Sequence, residues 1–240
     1  MAKNTKEVRS DDLASVLKNA LNDKLDTKTV RSVYALDDSD NPSNVYDFIS
    51  TGCDALDLAI SNRPNGGLPV GRIAEITGLE QTGKSVLCAS IIAQTQKKGG
   101  MGIFIDTENA VSKEFFQMLG VDISRDKFLY VSESEIENIF EAIDVIIGKS
   151  IEQKNKKYIT ICVDSIAGAT TRTEMESDYG KDGYATTKAL VISKAMRKLT
   201  QMIGRGKITL VLTNQLRQIL NAQPFAEQWT SPGGEYRLAS

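Results

Sequence analysis

Residues 78–85 read GLEQTGKS, the G-x-x-x-x-G-K-[ST] spacing with which a backbone wraps a phosphate group. Glycines at Gly78 and Gly83 let the chain curl until successive N–H groups point inward. A helix opening directly after the loop adds its dipole to that pocket. In this arrangement Leu79, Glu80, Gln81 and Thr82 complete the cradle and Val86 continues into the helix. Lys84 reaches the β- and γ-phosphates of a nucleoside triphosphate, and the Ser85 hydroxyl ligates Mg2+.

A metal site begun by one hydroxyl needs a carboxylate to complete it. Asp164 ends the apolar run YITICVD, and ligands of open parallel sheets collect beyond the carboxyl ends of strands. Its expected role is to hold Mg2+, through water. Glu108, in the segment IDTENA, follows another apolar run. At the same sheet edge it can orient and deprotonate the water that attacks a γ-phosphate. Asp106, two residues earlier, competes for that task. Asn214 and Gln215 close a further run. An amide there donates and accepts hydrogen bonds at once and can register a γ-phosphate, yet both residues are also turn formers, and pattern alone does not choose.

These residues act together only if strands and helices alternate around them. Strands are expected at 72–77, 102–106, 128–131, 158–164 and 208–213, each rich in Ile, Val, Leu and Phe without polar alternation. Such runs belong to strands covered on both faces. Helices fall between them: from 83 to about 97, stopped by Gly99 and Gly100; from Ser112 to Gly120; from a Ser134/Glu137 capping box to Gly148; and from about 186 to 203. The fold class that follows is α/β, a mostly parallel sheet with helices on both faces. Ahead of it, Asp11 or Asp12 caps a short helix whose stripe is Leu13, Val16, Leu17, Ala20, Leu21 and Leu25. A polar linker follows, so the expected organisation is 1–47 for helix and linker and 48–240 for the α/β core. The stripe either folds back on the core or docks on a neighbouring subunit.

Composition narrows the chemistry. The 240 residues contain no histidine, which removes Ser-His-Asp and Cys-His catalysis and histidine-based zinc sites. Cys53, Cys88 and Cys162 are too far apart for a metal or redox motif, and two of them lie in apolar runs, as buried inert thiols do. The polar start and the lack of a membrane-length apolar run predict a cytoplasmic chain with no membrane partner. The formal net charge is −2, so a polynucleotide surface has to be local. One exists between Lys181 and Arg217, where eight basic residues face Asp182 alone, a local charge of +7. Within it, Lys188 and Lys194 suit a solvated helix face as well as a phosphate contact.

In order along the chain, GLPVGRIAEITGLEQTGKS, IDTENA, ICVDSIAGATTRTEME, AMRKL and TNQLR resemble the RecA family of homologous-recombination ATPases, over about residues 50–234. The resemblance implies a RecA-like P-loop fold and ATP with Mg2+ as cofactors. It implies Glu108 as catalytic base, Lys84 and Ser85 on nucleotide and metal, Asp164 as the second metal-site acid, and Gln215 coupling the γ-phosphate to the loop after it. Phe115 stands where the family usually carries a tyrosine stacked on adenine. Two loops, here about 176–185 and 216–234, would hold DNA, with Lys181, Arg197, Arg217, Phe225, Gly233 and Gly234 as contacts. Single- and double-stranded DNA and a helical homo-oligomer of the chain itself would be the partners, and recombination, repair and the SOS response to DNA damage the setting. The glycine pair near the end is followed in the family by further strands and a C-terminal domain. The chain is therefore expected to be the first part of a recombinase, with an unpaired sheet edge and feeble turnover alone. A related helicase-type motor, or an inactive DNA- or recombinase-binding subunit, are the alternative readings.

Overall fold

The computed structural model describes residues 10–25, 33–34, 41, 43–176, 184–204, 206–218 and 229–230. The chain divides into two units, Met1–Asn44 and Val45–Ser240. In the first, helix α1 (Ser10–Leu25) carries Leu13, Val16, Leu17, Leu21 and Leu25 at helical spacing, and each of these side chains is exposed. Asn22 closes on Val33: the Val33 N–H donates to Asn22 Oδ1 (2.9 Å) and Asn22 Nδ2 donates to the Val33 carbonyl (3.4 Å).

The second unit opens with β1 (Phe48–Ile49), α2 (Asp54–Ser61), β2 (Leu68–Pro69), β3 (Ile73–Gly78), α3 (Lys84–Lys97), β4 (Met101–Asp106) and α4 (Lys113–Met118). It continues through β5 (Phe128–Ser132), α5 (Ile136–Glu152), β6 (Ile159–Asp164), α6 (Arg172–Met175), α7 (Tyr184–Ile203), β7 (Ile208–Gln215), β8 (Arg217–Gln218) and β9 (Trp229–Thr230). Strands β3 to β7 form one sheet in the order β3-β7-β6-β4-β5, every pair parallel. β1 with β2 and β8 with β9 are short antiparallel ribbons beside it. This is the α/β architecture expected from the strand and helix alternation.

Successive strand residues point to opposite faces, which explains the unbroken apolar runs. On one face Ile103, Ile105, Ile161, Val163, Leu210 and Leu212 meet Ile139 and Ile143 of α5 and Ile192, Leu199 and Ile203 of α7. On the other, Phe104, Cys162 and Val211 meet Cys88, Ile91 and Ile92 of α3, with Phe116 and Phe128 beside them. Cys88 and Cys162 are buried free thiols, while Cys53 is exposed. Among the described residues, β3 has a strand partner on one side only, β7.

Several helix limits differ from the sequence reading: Asp11 and Asp12, expected as caps, lie inside α1, which opens at Ser10, and α7 opens at Tyr184 rather than about 186. The expected Ser134/Glu137 capping box does not form; α5 starts one residue later, with Glu135 as N-cap. The reason is local competition. Glu133 Oε1 takes both the Ser134 and Glu135 N–H groups (2.9 Å each), and the Ser134 carbonyl is held by the Thr170 N–H (2.8 Å). Nor does Gly148 end the helix, which runs on to Glu152 although its buried stripe stops at Ile147. A capping box does form at Thr171 and Glu174, opening α6. No helix among the described residues is long and apolar enough to cross a membrane.

Candidate functional site

Strand register assembles the site. Gly78 lies opposite Gln215, and Asp106 opposite Asp164, so four chain segments end at one edge of the sheet. Between β3 and α3 the chain turns through Gln81 (φ 59°) and Gly83 (φ 89°), left-handed conformations that glycine adopts without strain. Gly83 is the N-cap of α3 and Lys84 its first residue. The Lys84 ammonium donates back to the carbonyls of Gly78 (3.1 Å) and Leu79 (2.6 Å), and the Thr82 hydroxyl donates to the Leu79 carbonyl (2.8 Å). The loop is thereby closed on its own lysine, whose charge stands at the helix N-terminus. Val86, in the first turn of α3, is exposed.

A cavity of about 330 Å³ opens at this edge. Lys84, Ser85, Asp106, Glu108, Asp164, Ser165 and Gln215 line it, with Glu80 and Gln81 at the loop and Ala110 and Val111 beside them. Asp164 Oδ1 accepts the Thr213 hydroxyl (2.6 Å), which fixes the carboxylate from the neighbouring strand. Ser85 and Asp164 together offer one hydroxyl and one carboxylate. Such hard oxygen donors fit Mg2+, an ion that keeps waters and phosphate oxygens for the rest of its octahedron.

The two acidic residues of IDTENA are separated by their partners. Asp106, nearly fully buried, accepts the N–H of Glu108 (3.0 Å) on Oδ1, and the N–H of Val111 (3.3 Å) and the hydroxyl of Tyr130 (2.9 Å) on Oδ2. Its oxygens are committed to folding the turn. Desolvation of the phenol end, and then the bond to Asp106, push the Tyr130 pKa up to about 12. Glu108 is exposed to the cavity and takes one hydrogen bond, from the Ser165 hydroxyl to Oε1 (3.3 Å). The amide pair separates in the same way. Asn214 is buried, donating to Glu75 Oε1 (3.0 Å) and accepting the Gln215 N–H (2.9 Å), whereas Gln215 faces the cavity.

Other expected contacts lie elsewhere. Phe115, half-buried on α4, stacks edge-to-face on Phe116 with centroids 5.5 Å apart and is not among the residues lining the cavity. Arg197 is exposed on α7, its Nη1 donating to Ser193 Oγ (3.0 Å), and Arg217 is exposed in β8, opposite Thr230 of β9. Lys181, Phe225, Gly233 and Gly234 lie outside the described residues. Lys188 is on neither a solvated face nor an open phosphate surface. It is 7% exposed, and its ammonium donates to the carbonyls of Ala167 (3.1 Å) and Ala169 (2.5 Å). Burial pushes its pKa below the usual lysine range, Glu174 opposing the shift and Arg217 adding to it. The sequence reading weighed a solvated face against a phosphate contact and missed burial, although Lys188 occupies the apolar stripe of α7 at four-residue spacing from Ile192 and Met196. Thr213 and Ser165, which hold the two site carboxylates, carried no signal beyond their adjacency to the motifs.

The sequence matches the family described as RecA N-terminal domain over residues 15–237. It is similar to Protein RecA of Paracoccus denitrificans, 35% identical over 196 residues covering 82% of this chain and 51% of that protein. The same name belongs to relatives from Campylobacter hominis, 36% identical over 188 residues, and Nitratiruptor, 37% identical over 186 residues, each covering 78% of this chain and 51% of the relative. The chain thus spans about half the length of these relatives.

Proposed function

The chain belongs to the RecA family, and on that premise we propose that it is an ATP-hydrolysing, DNA-binding recombinase subunit. It binds ATP with Mg2+ in the cavity of Lys84, Ser85 and Asp164, assembles with further copies on single-stranded DNA, and pairs that strand with a homologous duplex in the cytoplasm. One observation supports the reading: the phosphate loop, the carboxylates of Asp106, Glu108 and Asp164 and the Gln215 amide line a single cavity at the carboxyl edge of a parallel sheet.

The geometry supports the following roles. Successive N–H groups of residues 78–83 and the α3 N-terminus hold the phosphates, and Lys84 leaves its carbonyl partners for the β- and γ-phosphate oxygens. Ser85 and Asp164 would hold Mg2+, which supplies charge neutralisation along the phosphates. Glu108, whose carboxylate is the one not tied into the turn, orients a water in line with the γ-phosphate and takes its proton. Gln215 senses the γ-phosphate by its amide. It is one residue from Leu216, whose N–H is bound to the Gly78 carbonyl (3.1 Å), so a hydrogen bond links the phosphate loop to the segment that leads into β8. Arg217 and Arg197, with Lys181, Phe225, Gly233 and Gly234 in the adjoining segments, are the DNA contacts of this reading. Phe115 is the candidate for the adenine.

ATP turnover with and without single-stranded DNA, followed by strand exchange, tests the proposal. The expected outcome is DNA-stimulated hydrolysis abolished by Lys84→Ala, with Glu108→Gln retaining ATP and DNA but losing turnover by roughly 10²-fold or more. Turnover in Glu108→Gln equal to that of the unsubstituted chain overturns the assignment of the base. DNA affinity independent of nucleotide overturns the coupling.

A further inference from the structure

Lys188 lies outside the cavity, on α7, yet its two hydrogen bonds end a short path that begins at the candidate base. The carbonyls it binds, of Ala167 and Ala169, flank Gly168. The Gly168 N–H donates to Ser165 Oγ (3.1 Å), and the Ser165 hydroxyl donates to Glu108 Oε1 (3.3 Å). The same turn is bolted to the residue before Glu108. Ser165 N–H donates to Thr107 Oγ1 (2.9 Å), and the Thr107 hydroxyl donates to the Ser165 carbonyl (3.0 Å). Glu108 also rests directly on the turn: a Cβ built on Gly168 would fall 2.7 Å from Glu108 Oε1 and 2.8 Å from its Cγ.

A buried ammonium is costly, and it persists only where its donors meet acceptors that need them. Here one cation bridges two peptide carbonyls on either side of a single residue. That sets the turn from Ser165 to Ala169 from behind, while Thr107 and Glu108 contact it from the front. We infer that Lys188 is a positioning residue for hydrolysis: by clamping the Ala167 and Ala169 carbonyls it fixes the Ser165–Gly168 turn that seats the Glu108 carboxylate. The inference rests on the reading of Glu108 as the base. It makes α7, the helix that also carries Arg197, part of the machinery that aims the attacking water.

The test compares Lys188→Met, which keeps the stem and removes the donors, with Lys188→Arg, Ser165→Ala and the double Lys188→Met/Ser165→Ala, in ATP turnover with single-stranded DNA present. A displaced base weakens an interaction realised in the transition state, so kcat falls and KM does not rise. The expected result is a kcat lower by roughly tenfold in Lys188→Met. Affinity for a fluorescent ATP analogue stays within twofold, Lys188→Arg recovers most of the rate, and the double variant is no more than twofold slower than Ser165→Ala. A Lys188→Met chain with unaltered kcat overturns the inference, as does a double variant in which the two losses multiply. Should Lys188→Met not fold, Ser165→Ala decides: the inference predicts the kcat loss in it, and unaltered kcat overturns it. If the unsubstituted chain turns over no faster than Lys84→Ala, the hydrolytic reading itself falls and Lys188 loses its role with it. Turnover above that control with a normal Lys188→Met removes only the role of Lys188.

Discussion

At the scale of single residues, the site is a division of labour between like groups set two residues or less apart. Asp106 and Glu108 have the same chemistry in the sequence, and their spacing gives no reason to prefer either. Packing separates them. Both line the cavity, but Asp106 is buried and spends both oxygens on the turn and on Tyr130, whereas Glu108 is exposed there and takes only the Ser165 hydroxyl. Tyr130 reports this arrangement through its titration. Its pKa is raised from 10.0 to about 12, so the folded chain keeps the phenol proton after the unfolded chain has lost it. The sign is that of a raised group. Its contribution to stability is complete below pH 10 and is lost as the pH climbs through about 12. Phenolate absorbance in alkaline titration should show a late-ionising tyrosine that Tyr130→Phe removes, and a variant curve superposing on the parent would contradict the bond to Asp106. The strand–turn–helix course of residues 78–85, by contrast, was legible outright, because the spacing of its glycines writes the turn. Lys188 was not. A lysine in an apolar stripe reads as a solvated side chain until the carbonyls that receive it are known.

At the scale of elements, the two-residue ribbons β1–β2 and β8–β9 carry no continuous apolar run and were not legible. The five strands of the parallel sheet were legible to within a residue or two, because burial on both faces writes them as such runs. The helix ends were less so, since a cap is a competition among neighbours. Ser134 has the right partner at Glu137, but Glu133 reaches its N–H first, and Thr170 takes its carbonyl. The contact between α3 and β6 holds a feature that hydropathy conceals. Thr95 and Thr160, both buried, share a hydroxyl–hydroxyl bond of 2.6 Å, and Thr95 also bonds the Ile91 carbonyl (2.9 Å). Since α3 begins at the phosphate loop and β6 ends at Asp164, this pair fixes two halves of the site from behind. Thr95→Val leaves the Thr160 hydroxyl buried without that partner and is expected to cost about 1–3 kcal/mol in denaturant unfolding. Thr160→Val should cost a similar amount, while the double variant should lie well below the sum, because removing both hydroxyls leaves fewer polar groups stranded. Strict additivity would mean that the two side chains do not act as a pair.

At the scale of the whole molecule, a chain with a net charge of −2 is proposed to hold a polyanion, and it can do so only by segregating charge along its sequence. That segregation was legible as the +7 stretch, whereas the direction of each side chain was not, as Lys188 shows. Assembly poses the same problem with apolar surface. In the unit Met1–Asn44, α1 leaves Leu13, Val16, Leu17, Leu21 and Leu25 exposed along one stripe, more apolar surface than a lone short helix gains from showing to water. If further copies of the chain cover this stripe during assembly on DNA, a charge at its centre should block association while sparing the fold. Leu17 is 52% exposed, so Leu17→Glu should change unfolding stability by no more than about 0.5 kcal/mol. Desolvating that carboxylate in an apolar seam costs far more, and no basic residue stands among the five stripe positions to pair with it. Sedimentation with a non-hydrolysable ATP analogue and single-stranded DNA should then show long assemblies for the unsubstituted chain and small species for Leu17→Glu, at equal nucleotide affinity. Assemblies of equal size in both would assign the stripe to some surface other than a second copy, and the polymerising role of α1 would have to be given up.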